Sequence, residues 1–258
     1  MKINFEKYFF TYFLATLFIS SSTVNASNKQ HNLVELIDIV GQQRMLVHRV
    51  LVSYAQIGQV QSFGNPVNTK INAIKQFEKN IDILKNSVQA QQPLLKMVNT
   101  WNKLKVITLA IPDRRKMKIL IGYNEDIVAY ANEIMSLLLN KDGRNAVNIA
   151  GKQRMLSQRI ALFMLMENWG FKDSYTTKMQ ISLANFSLNI KHLKKNKDNN
   201  EQINKLLNSL DKDYINLIKI ISRGKKERDY SFSISRYTSQ MLRKSKKMTQ
   251  LYVRLPAV

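Results

Sequence analysis

Two short segments carry arginines in the same setting. Gly41-Gln42-Gln43-Arg44-Met45-Leu46-Val47-His48-Arg49 returns as Gly151-Lys152-Gln153-Arg154-Met155-Leu156-Ser157-Gln158-Arg159, 110 residues later. On a helix, Arg44 and His48 share a face, as do Arg154 and Gln158, while Arg49 and Arg159 lie about 140° round the axis from the first arginines. A guanidinium beside the apolar seam of Met45 or Met155 can clamp an anion, because its planar donors match the geometry of carboxylates and oxyanions. The same pattern has a plainer use. Arginines at a bundle edge snorkel, or pair with core-edge carboxylates such as Glu35, Asp38 or Glu167. Gly41 and Gly151 precede the arginines inside apparent helices, where glycine costs about 1 kcal/mol relative to alanine. Close approach of another helix would compensate, which makes Gly41, Gly151, Met45 and Met155 the packing candidates.

Other chemistries lack residues. The sequence has no cysteine, which excludes a disulfide scaffold, a thiol nucleophile, an iron–sulfur cluster and thiolate zinc sites. Its three histidines, at positions 31, 48 and 192, are scattered. There is no nucleophile elbow, no glycine-rich phosphate loop and no zinc-protease helix motif. Asp211 and Asp213 diverge on a helix, and Asp126 and Glu133 suit a solvated face. No enzyme activity, metal or cofactor is expected. Forty Lys and Arg against eighteen Asp and Glu give a net charge of +22. Basic clusters such as Arg243-Lys244-Ser245-Lys246-Lys247 could follow phosphates, but no nucleic-acid-binding motif accompanies them. Weak association with an anionic envelope surface uses the same field better.

The elements that must position the arginines are helices. Residues 1–26 have the build of a cleaved signal peptide: Lys2 and Lys7, an apolar stretch from Tyr8 to Ile19, then the small-residue site Val24-Asn25-Ala26. That stretch is shorter than the roughly 20 residues needed to span a bilayer, so the expectation is an exported, soluble periplasmic or secreted protein. In the rest of the chain the apolar period is 3.6, with no sustained alternation of period two. It predicts an all-α protein with helices over about 31–60, 68–88, 91–108, 114–139, 144–168, 174–195, 200–221 and 230–253. Turn chemistry at Phe63-Gly64-Asn65-Pro66, Ile111-Pro112-Asp113 and Lys141-Asp142-Gly143 separates them, with Asp113 and Asp173 as N-cap candidates. Phe77 to Lys85 also aligns with Phe186 to Lys194, at a spacing of 109. Two matches in one order predict a duplication: antiparallel, up-down four-helix modules over 27–140 and 141–258. Whether α-helical structure runs unbroken across the 139–145 junction is open, since Gly143 suits a loop or a helix.

The run Ala150-Gly151-Lys152-Gln153-Arg154-Met155-Leu156-Ser157-Gln158-Arg159-Ile160 resembles the PilJ-type sensor domain. That domain stands at the N-terminus of type IV pilus methyl-accepting chemotaxis transducers and is similar to the sensor domain of nitrate/nitrite sensor kinases. The first copy departs where Val47 and His48 replace the expected Ser and Gln. The resemblance implies a helical, tandem sensor module that holds a small anion through first-helix arginines at a dimer interface. By position these are Arg44 and Arg154, then Arg49 and Arg159, with His48 and Gln158 alongside. It also implies a membrane-bound receptor or transducer as partner, and a homodimer. Receptors of this kind continue into a second membrane span, whereas here a basic helix leads to Val258. The expectation is a soluble sensory or ligand-binding module, with a non-catalytic structural or protein-interaction bundle of the envelope as the alternative.

Overall fold

The first helix, α1 (Leu33–Gly58), opens where the Asn32 side chain accepts the Glu35 amide at 2.9 Å, satisfying one of the donors a helix start leaves free. Seven more follow: α2 (Pro66–Ser87), α3 (Gln91–Leu109), α4 (Met117–Asp142), α5 (Asn145–Asn168), α6 (Ser174–Lys194), α7 (Glu201–Arg223) and α8 (Tyr230–Arg254). The computed structural model describes residues 31–142, 145–171, 174–224 and 230–255, and among them it contains no strand. The leader expected at 1–26, Gly143 and Asp173 lie outside the described residues.

Local chemistry moves two of the expected boundaries. α2 begins at Pro66, before the expected 68, because proline is preset for the first helical turn and Asn65, held at φ 48°, caps the Asn68 amide. The stretch expected to open the fourth helix at 114 starts as a 3₁₀ turn, Arg114–Lys116, capped by the Asp113 side chain on the Arg115 amide.

The helices form two similar four-helix units with antiparallel neighbours. α1 packs on α2 and α4, and α3 completes the first unit against α4; α5 packs on α6 and α8, and α7 completes the second against α8. α1 and α5 also pack on each other, so His31–Val258 cluster as one compact unit. Their central turns are buried nearly all round, as expected of helices enclosed by others, while α7 keeps one apolar face. α1 and α5 run parallel. Their glycines meet near one end, and near the other Gln59 Nε2 donates to the Leu165 carbonyl at 3.1 Å and the Tyr54 and Trp169 rings lie 6.5 Å apart. α4 is antiparallel to α1, with Asn132 against Arg44 and Asn124 against His48, so the chain reverses direction between α4 and α5. No helix among the described residues is long and apolar enough to cross a membrane.

The likeness of the two units runs through all four helix pairs in the burial pattern. Phe77 and Phe186 match at 109; Leu94, Met97 and Leu104 match Leu207, Leu210 and Leu217 at 113; Leu120, Ile127 and Ile134 match Ile234, Met241 and Met248 at 114. Polar detail repeats as well. Gln43 Nε2 donates to the Phe77 carbonyl at 3.1 Å, and Gln153 Nε2 to the Phe186 carbonyl at 3.0 Å. Asn80 Nδ2 donates to Gln43 Oε1 at 3.2 Å, and Asn189 Nδ2 to Gln153 Oε1 at 3.5 Å. Both glutamines are fully buried, so replacing either removes one buried bond to a helix carbonyl and one from an asparagine amide. Gln43→Met is expected to cost about 1–2 kcal/mol in urea denaturation, and Gln153→Met less, because Asn189 is only half-buried and its bond is longer. Equal stability of Gln43→Met and the wild type would remove this contact as a determinant of the fold.

Candidate anion site

Gly41 and Gly151 allow the contact that makes the site. A Cβ built at Gly41 would lie 3.9 Å from the Gly151 Cα, 3.0 Å from Arg154 Nη2 and 3.5 Å from Arg44 Nη2; one built at Gly151 meets the same two tips at 3.3 and 3.5 Å. Two parallel backbones thus touch, and both guanidiniums fold over the touching point. Side chains on a helix lean toward its N-terminus, so each arginine reaches back across the partner helix to the residue three before the glycine. For Arg44 that residue is Asn148, whose Oδ1 accepts from Nη2 at 3.0 Å; Asn132 Oδ1 accepts from Nη1 at 3.0 Å. For Arg154 it is Asp38, with Oδ1 at 2.6 Å from Nη2. Gln42 Nε2 holds the other Asp38 oxygen at 2.9 Å.

The charges do not balance. Arg44 and Arg154 are 1 and 2 % exposed. Asp38 is the one carboxylate paired with them among the described residues, and half-buried Lys152 adds a third cation. Burial and the nearby Arg154 push Arg44 down to about 9, while burial and Arg44 together lower Lys152. The Nε–H of each arginine is buried without an acceptor among the described residues. A stranded buried donor costs about 1–3 kcal/mol, more when charged, and such groups call for an ion or water as partner. Excess positive charge and two unused N–H donors at one helix contact are the features of a site that accepts a small anion.

His48 sits one turn beyond Arg44 and is fixed in one tautomer. Its Nδ1 lies 2.8 Å from the Arg44 carbonyl, which can only accept, so Nδ1 carries the proton and Nε2 accepts from Asn124 Nδ2 at 3.2 Å. Burial and the charge of Arg159 push its pKa down to about 3, against a smaller opposing effect of the Arg44 carbonyl. The imidazole is a neutral support under Arg44, not a further cation at the site. The remaining candidates are placed elsewhere. Arg159 stacks 5.3 Å from the centre of the Phe163 ring and feels the charge of Glu125. Arg49 and Gln158 line a separate cavity between α1, α5 and α8. Met45 and Met155 are buried in the core, as are both glycines.

Four contributors carry no role assigned from the sequence: Asn148, Asn132, Asn124 and Lys152. Asn148 was findable, since it stands where Asp38 stands in the other copy, three residues before the repeated glycine. Lys152 lies within the motif itself. Asn132 and Asn124 come from α4, and no spacing marks them. Among the described residues no cluster of His, Cys, Asp and Glu could hold a metal ion. No protein-family model, curated protein or solved structure matches the chain.

Proposed function

We propose that this chain is an exported, soluble sensory or ligand-binding module that holds a small anion such as nitrate or nitrite between Arg44 and Arg154 and acts with a membrane-bound partner. The observation that carries this reading is the pair of buried guanidiniums across Gly41 and Gly151, with one carboxylate between them and an unused Nε–H on each. A planar oxyanion supplies acceptors for both donors and offsets the surplus charge. The resemblance to PilJ-type domains supports the same residues, and the parallel α1 and α5 supply from one chain the two arginines that a dimer interface would bring together.

Calorimetric titration of the full chain with nitrate and with nitrite tests the reading. Arg44→Met is expected to weaken binding at least about tenfold, the equivalent of one charge-assisted hydrogen bond. The fold should survive, because exchanging an uncompensated buried charge for an apolar chain of similar length is often neutral or stabilising. Absence of heat from wild type with either anion would sink the proposal. A second reading has its own support in the Arg154–Asp38 ion pair and the Asn132 and Asn148 contacts of Arg44, which suit a structural bundle of the envelope. Arg44→Met more stable than wild type, with no anion heat in either, would favour it.

A further inference from the structure

A recess opens where the two halves meet. The cavity between α1, α5 and α8 has a volume of about 390 Å³, within the range of small-molecule sites. Because the two halves match helix by helix, the counterparts of the lining residues on α1, α5 and α8 can be read on α5, α1 and α4. There buried apolar residues, most of them larger, take the places: Phe163, Met166, Leu51 and Ile121 stand where the cavity has Ser53, Gln56, Ala161 and Ser235. The charges change in the same places. Glu125, whose field reaches Arg159, is matched by Ser239 beside Arg49. Arg243 and Lys246 replace Ala129 and Asn132.

We infer that this cavity is a second binding site, for a small organic acid carrying two or more carboxylates. Three cations line it, and no carboxylate does so among the described residues. Ser53 is fully buried and its Oγ has no partner among them, a donor left over in the wall of the recess. Val52, Ala161, Leu242 and Phe63 give an apolar lining for a carbon skeleton, and the Phe63 ring is braced edge-on by Phe232 at 5.0 Å. Arg49 on α1 stands half-buried, while Arg243 and Lys246 on α8 are exposed. Cations on two different helices suit an acid with more than one anionic end. The inference does not rest on the Arg44 and Arg154 site.

Calorimetry of the full chain with succinate and citrate, and with nitrate and inorganic phosphate for comparison, tests it. Wild type is expected to bind at least one of the two organic acids, and to bind it more tightly than phosphate. Ser239→Glu restores the carboxylate of the other half at an exposed position that leaves the core alone, and should weaken binding by about tenfold or more. Ser53→Phe introduces the ring that stands at this place in the other half, as Phe163, and should abolish it. Arg44→Met should leave it unchanged. No heat from either acid overturns the inference, as does an unchanged affinity in Ser239→Glu. Phosphate binding as tightly as citrate would overturn the assignment to organic acids. Should Ser53→Phe fail to fold, Ser239→Glu decides alone.

Discussion

Asp38→Asn is expected to lower the unfolding free energy by about 3 kcal/mol at neutral pH, the lower end of the cost of breaking a buried ion pair. The lower end applies because the Asp38 side chain keeps 17 % of its exposure, against 2 % for Arg154. The substitution is nearly isosteric, so the loss measures charge and not packing. Without the carboxylate, Arg154 and Arg44 face each other over the glycine contact with Lys152 nearby, and only neutral groups remain to solvate them. Urea denaturation reads the loss directly as a shift of the midpoint at constant slope. Nitrate at one hundred times its dissociation constant should return about 2.7 kcal/mol of that loss. A loss below about 1 kcal/mol would place this pair with ordinary exposed ion pairs and remove Asp38 as the counter-ion of the site.

Acid should destabilise the fold through His48. Its folded pKa, pushed down to about 3, lies below the ordinary histidine value of 6.5, so between these values the unfolded chain binds the proton that the folded chain refuses. Stability is therefore fully present above pH 6.5 and is lost as pH falls toward 3, at about 1.4 kcal/mol per unit and on the order of 5 kcal/mol in all. The physical obstacle is local. Protonated Nε2 would confront the Asn124 amide that now donates to it, with Arg159 adding repulsion. His48→Gln copies the residue of the second half, Gln158, and removes the titration. Between pH 6.5 and 4.5 the wild type should lose about 2–3 kcal/mol more than His48→Gln. Parallel pH profiles for the two proteins would show that His48 titrates freely and is not buried as described.

Much of this was legible in the residues. A period of 3.6 broken by Pro66, Pro112 and Gly143 located eight helices, and the repeated motif paired Arg44 with Arg154. The equivalence of α4 with α8 was not legible, because at a spacing of 114 the shared property is burial, and Asn124 against Thr238 looks like no match. Nor could the sequence say that α1 and α5 run parallel in contact. A glycine in a helix announces a close neighbour without naming it. Asp38 could be named only as one of three carboxylates available to the arginines, and packing decided among them: Glu35 turned to His31 and Asp38 to Arg154. The cavity between α1, α5 and α8 was invisible for a related reason, since small and hydroxylated residues suggest missing volume only beside the larger ones at the matching positions.

The covalent join between the two halves has a consequence for how such a site behaves on dilution and over evolutionary time. Two identical subunits must make every substitution twice and must find each other at whatever concentration the cell provides. A tether makes the encounter intramolecular, so the α1–α5 contact does not weaken as the protein becomes scarce. It also frees each side to drift separately. Asp38 faces one arginine while Asn148 faces the other, a lopsidedness no symmetric pair of chains could hold. At the proposed site an anion would therefore meet one orientation instead of two equivalent ones.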